Sequence, residues 1–135
     1  MKAKLAEELL LITQNRVGKL AEISRTIKDN GINIMAISAW AFDDQAFFRI
    51  VASDHIKAKE ILESIGKVEI KKIVIAEMPD EVGQLLELAS RLKDNDIDLN
   101  YVYGTTAEVG KPATIIFSSN NDIKALDVIA AKSAI

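Results

Sequence analysis

The chain has 135 residues, 49% hydrophobic and 27% charged, with a formal net charge of −3, two prolines, six glycines and no cysteine. That length holds one domain or two very small ones, and the composition is that of a chain that folds throughout. Lys and Arg are scattered singly apart from Lys71-Lys72, which leaves no basic stripe for phosphates, and the lack of cysteine excludes disulfides, thiolate catalysis and Cys-ligated metals.

In chain order, the apolar run Leu9–Ile12 is too short for a signal-sequence core or a bilayer span, so no targeting or membrane segment is expected and the cytoplasm is the expected location. Glu8–Gln14 instead predicts a strand. From Gly18 to Asn30, Leu20, Ile23 and Ile27 recur at helical spacing among charged residues, predicting an amphipathic helix that stops at Gly31. Ile32–Phe42 predicts a strand, Asp43-Asp44-Gln45 a tight turn, and Phe47–Ala52 the antiparallel return. Ser53 or Asp54 can cap a second helix with Ala58, Ile61, Leu62 and Ile65 inward and Gly66 at its end, and Lys67–Ile70 closes the unit as a strand.

A shift of 65 residues carries Asn15-Arg16-Val17-Gly18-Lys19-Leu20 onto Asp80-Glu81-Val82-Gly83-Gln84-Leu85, and Asn30-Gly31-Ile32-Asn33-Ile34 onto Asn95-Asp96-Ile97-Asp98-Leu99. One offset that superposes a turn, a helix start, a helix end and a strand start indicates an internal duplication. The second copy then reads as strand Ile73–Glu77, helix Gly83–Lys93 with Leu85, Leu88, Ala89 and Leu92 inward, strands Ile97–Tyr103 and Thr114–Ser118, and a helix from Asp122 to about Lys132. The expected class is α+β. Two ferredoxin-like βαββαβ units, residues 1–71 and 72–135, stand in tandem, each an antiparallel sheet with helices on one face and the other face free for association.

No loop separates Lys67–Ile70 from Ile73–Glu77, so these strands are expected to run together. The final strand of the second unit maps onto Ser133-Ala134-Ile135 and is short or missing. A sheet edge left bare recruits another strand, so a second chain or the junction strand is expected to cover it.

The turn before the first helix of each copy is the informative motif. A helix start presents unpaired N–H groups and the positive end of the dipole, a natural seat for a carboxylate. Gly18 and Gly83 let a ligand approach the backbone, while Asn15 and Asp80 can cap the helix, contact the ligand, or do both. Asn33 and Asp98, at the start of the next strand, are strand-end polar residues or second ligand contacts. His55 stands alone at a helix start and is expected to face solvent, and Trp40, Tyr101 and Tyr103 to serve packing. No nucleophile–base pair, phosphate loop or metal set is present, so neither catalysis nor a cofactor is expected.

The first-copy motif resembles the ACT domain signature, in which Asn-Arg-Pro-Gly-x-Leu precedes the first helix and Gly-Val-Asn-Ile follows it; the second copy resembles it more loosely. The resemblance covers nearly the whole chain and implies a stand-alone tandem ACT protein, regulatory and non-catalytic, that binds an amino acid or similar small molecule between two units. By position it implies a first site of Asn15, Arg16, Val17, Gly18 and Leu20 with Asn33 across, and a second of Asp80, Glu81, Val82, Gly83 and Asp98. Val17 and Val82 replace the usual Pro, and Asp80 and Asp98 replace Asn. Two carboxylates repel an acid unless they meet its ammonium, which favours the first site. A homodimer and a regulated partner enzyme are the implied partners, with no nucleic acid and no membrane. An assembly module without ligand is the alternative.

Overall fold

The structure is a computed structural model that describes residues 1–105 and 111–130. The elements are β1 (Lys2–Gln14), α1 (Lys19–Asp29), β2 (Ile34–Phe42), β3 (Gln45–Ala52), α2 (His55–Leu62), β4 (Lys67–Pro79), α3 (Gln84–Asp94), β5 (Leu99–Thr105), β6 (Pro112–Ser119) and α4 (Asp122–Ala130). The chain forms two compact units. One is Glu7–Lys71; the other gathers Met1–Ala6 with the chain from Lys72 onward.

In the first unit the strand order is β2-β3-β1-β4, with antiparallel β2–β3 and β3–β1 pairs. Alternation along each strand sends Leu9, Leu11, Phe48 and Ile50 to the face that packs on Ile23 and Ile27 of α1 and Ala58 and Leu62 of α2. Asp54 caps α2 by accepting from the Lys57 N–H at 3.0 Å. The second unit repeats the plan in the order β1-β4-β6-β5, with Val74, Ala76 and Phe117 packed on Leu88 and Leu92 of α3 and Ala125 and Ile129 of α4.

The duplication extends to individual hydrogen bonds. Gly31 N–H donates to Lys28 O and Ile32 N–H to Ile27 O, a Schellman stop, and Asp96 to Lys93 and Ile97 to Leu92 repeat it. Asp96, at φ +57°, holds the left-handed position that Gly31 holds at φ +71°. Irregular register in β2 at Ile34/Ala36 recurs in β5 at Leu99/Tyr101.

Strand β4 runs unbroken from Lys67 to Pro79, as the missing loop predicts. Other expectations need correction. The first strand begins at Lys2 rather than Glu8, and Met1 and Ala3 pack on the core of the second unit. The chain's own beginning thus occupies the outer position of the second sheet, where a second chain or the junction strand was expected. The short or missing final strand was expected at 133–135, which lie outside the described residues.

Leu20 and Leu85, expected inside, are 52% and 58% exposed. The buried stripe of α1 is Lys19, Ile23 and Ile27, spaced i, i+4, i+8, so Leu20 lies one residue round the helix. Lys19 buries its stem and pairs its ammonium with Glu22 at 3.1 Å. Ala89 is exposed for the same reason. Nor is the helix-free face open throughout: Leu10 and Val51 in the first unit, and Ile73, Ile75 and Ile116 in the second, are buried. No helix among the described residues is long and apolar enough to cross a membrane.

Candidate functional site

At the end of β1 the Asn15 N–H donates to the Asp44 carbonyl at 2.8 Å, which fixes the turn against the β2–β3 hairpin. Lys19 N–H closes the turn onto Arg16 O at 3.2 Å, with Gly18 at φ 86°, ψ 0°. Those angles match the third residue of a type II turn, and Val17 sits at the second, where Pro is favoured. Gly18 is itself the N-cap of α1: its carbonyl accepts from Glu22 N–H at 3.0 Å, and no side chain caps the helix. The Leu20 and Ala21 N–H groups therefore find no partner among the described residues. They open beside Asn15, Arg16, Val17 and Gly18, all exposed.

The second turn follows the same construction. Gln84 N–H reaches Glu81 O at 3.4 Å, Gly83 caps α3 at φ 89°, ψ −3°, and its carbonyl accepts from Glu87 N–H at 3.0 Å. Leu85 and Leu86 N–H are left without a partner among the described residues. Capping by Asn15 or Asp80, open in the sequence, is not what the structure contains, because glycine occupies the cap and no side chain bonds to it. At Gly18 and Gly83 a β-carbon would meet nothing within 4 Å, so what these positions require is the left-handed backbone.

A cavity of about 560 Å³ lies at the second turn, lined by Asp80 and Glu81 together with Lys2, Glu77, Pro79 and Lys111. Lys2 Nζ stands 3.4 Å from Glu77 Oε2, so two cations and three carboxylates share its walls. Sequence reasoning missed Lys2 and Lys111, since nothing local indicates that the chain's beginning joins the second unit.

Asn33 and Asp98 do not lie near the turns of their own units. Asn33 makes two hydrogen bonds to Ser53, its N–H donating to the Ser53 side-chain Oγ at 3.0 Å and its carbonyl accepting from Ser53 N–H at 2.9 Å. Asp98 N–H likewise donates to Asn120 Oδ1 at 3.1 Å. Ile34 pairs with Ala52 at this end of β2, whereas Phe42 pairs with Gln45, the partner of Gln14, at the other. The length of β2, roughly 3.3 Å per residue over nine residues, separates Asn33 from Asn15.

On the helix-free face, Glu8 is fully buried and paired with Arg49 at 3.0 Å. Arg49 lies 5.0 Å from the Trp40 ring centroid, and Trp40 stacks on Phe47 at 5.3 Å. Tyr101 and Tyr103 stack at 6.4 Å. His55 Nδ1 is 4.0 Å from Glu7 and a third exposed. Among the described residues no three His, Cys, Asp or Glu side chains gather as metal ligands.

Two units of like plan, each with a helix that starts at a left-handed glycine, define the class as a tandem pair of ferredoxin-like α+β domains. The chain matches the ACT domain pair family over residues 5–134 and belongs to it. Among solved structures it is similar to protein BT0572 from Bacteroides thetaiotaomicron, with 24% identity over 93% of this chain and 87% of that one and a TM-score of 0.85. It is also similar to the regulatory subunits of aspartate kinase from Thermus thermophilus (16% identity, TM-score 0.65) and Thermus flavus (15%, 0.62), each over 96% of this chain and 95% of the other. These likenesses carry the fold. A search of curated proteins found no match.

Proposed function

We propose that this ACT pair is a non-catalytic regulatory module that binds an amino acid or a similar small acid at its strand–helix turns and thereby modulates a partner enzyme. The observation that carries the reading is the exposed start of α1 after Gly18, which has no side-chain cap and where free amides face solvent at the positive end of a helix. Asn15, Arg16, Val17, Gly18 and Leu20 form the first site. A ligand that touches both this turn and Asn33 must lie between two units, because the two are at opposite ends of one.

The second turn, with Asp80, Glu81, Val82 and Gly83, offers carboxylates beside a cavity and suits the ammonium end of a ligand. Its Asp98, like Asn33, could meet a ligand only across an interface. The regulatory role draws support from the aspartate kinase regulatory subunits that share the fold. A cysteine-free chain fits a reducing cytoplasm.

Thermal unfolding across the amino acids tests the reading. A ligand that binds only the folded state, at a hundred times its Kd, adds about 2.7 kcal/mol and raises the melting temperature. Asn15→Ala should leave unliganded stability unchanged, since the side chain caps nothing, yet weaken the response. Silence toward every amino acid favours the alternative, an assembly module without ligand.

A further inference from the structure

We propose that Lys19 sets the ligand class of the first turn: the acid bound there carries a second carboxylate, which displaces Glu22 from the Lys19 ammonium. The inference rests on the reading that a small acid sits on the free amides of α1, and specifies which kind of acid. Lys19 is the first residue of α1, where the helix dipole disfavours a cation. Its side chain is nonetheless only 7% exposed, and its ammonium donates to Glu22 Oε2 at 3.1 Å. An ammonium carries three donors, and the other two have no partner among the described residues. A buried charge is costly unless it is fully hydrogen-bonded, so a further anion is stabilised at this place. The way in is on the Glu22 side, because that carboxylate is half exposed. Residues 19–22 form the first turn of α1, so the cation, its carboxylate partner and the free Leu20 and Ala21 amides all belong to one helical turn.

The duplication supplies the contrast. Gln84 stands in the second copy where Lys19 stands in the first, and Glu87, the counterpart of Glu22, pairs in the other direction along its helix, with Arg91. The position of Arg91 is Thr26 in the first copy. A helix start of this design therefore forms without a buried cation, and the one in α1 is particular to the first turn. Glu22 shows what chemistry that cation takes. The group already on the ammonium is a carboxylate, and a ligand carboxylate reproduces it. With one acid group on the α1 amides and the other on Lys19, the ligand is a small dicarboxylic amino acid. The second turn, with Gln84 in place of the cation and Asp80 and Glu81 beside it, repels the same ligand.

L-aspartate and L-asparagine differ by that one charge at nearly the same shape, and the Leu20 and Ala21 amides report binding at the turn when the full chain is titrated by NMR. Aspartate should bind the native chain about ten-fold or more tighter than asparagine. Lys19→Gln, which installs the residue the second copy already carries at this place, should abolish that preference and still fold. Glu22→Gln separates a displaced partner from a structural one. By removing the internal competitor it should tighten aspartate about two- to five-fold, whereas a merely structural pair would leave binding unchanged or weaker. Equal affinity for the two ligands, a preference that survives Lys19→Gln, or a Glu22→Gln variant that binds aspartate no tighter than the native chain would overturn the proposal and leave the amide site standing. No shift of those amides with either ligand, or with any other amino acid, would remove the site and the proposal together.

Discussion

Glu8 and Arg49 face each other across β1 and β3 at 3.0 Å, the carboxylate with no exposure and the guanidinium 15% exposed beneath the edge strand that carries Trp40. Removing one member of a buried pair takes from the other the counter-charge that this contact supplies. Arg49→Ala should cost about 3–5 kcal/mol in urea unfolding, whereas Glu8→Gln, which keeps a hydrogen-bonding group in place, should cost less. Equal, small losses for both would mean that solvent reaches Glu8.

Gly18→Ala probes backbone strain rather than space, because its β-carbon would meet nothing. Holding a non-glycine residue at φ 86° should cost about 1–2 kcal/mol. Asn, which tolerates left-handed backbone better, should cost less. Gly66→Ala fails for a different reason, since its β-carbon would stand 2.3 Å from the Ile12 carbonyl oxygen. The two alanine variants should therefore separate under rescue: Gly18→Asn recovers stability and Gly66→Asn does not.

Ala3 packs on the core of the second unit although it opens the chain. Ala3→Asp should destabilise by about 1–3 kcal/mol, with hydrogen exchange accelerated first at Val74, Ala76 and Met78. Lys4→Asp, at an exposed neighbour, should stay within about 0.5 kcal/mol.

Glu69 lies between Lys71 and Lys67, whose ammonium groups, Lys71 first, hold its carboxyl below the ordinary glutamate range. A depressed folded-state value stabilises above the unfolded-state value, and that contribution is lost as pH falls through the folded one. The Glu69 side-chain carboxyl should accordingly titrate by NMR below a glutamate in a short unstructured peptide, and molar salt should bring it back toward that ordinary value.

Much of the fold was legible in the sequence because the duplication is written locally. Gly18 and Gly83, Asn30 and Asn95, and Asn33 and Asp98 recur at one spacing, and each pair adopts the same local geometry. Local signals could not report that Met1–Ala6 joins the second unit, a long-range partnership of a strand whose Lys-Ala-Lys alternation has no periodic apolar run. They also misplaced Leu20. A leucine outranks a lysine as a core residue by type, yet the turn geometry fixes the helix rotation so that Lys19 faces inward. Of the candidate site, the turns were readable from Gly and Asn spacing. The distance between Asn15 and Asn33 was not, because it depends on the direction of β2 in the sheet.

The central claim is that a small acid sits on the free amides at the start of α1. Backbone amide NMR, following the chain as the amino acid that raises its melting temperature is added, tests that most directly. The largest shifts should fall on Arg16 through Ala21, with Asn33 following if the ligand lies between units. Shifts confined to other surfaces, with the Val17–Ala21 amides unmoved at saturation, would contradict the account.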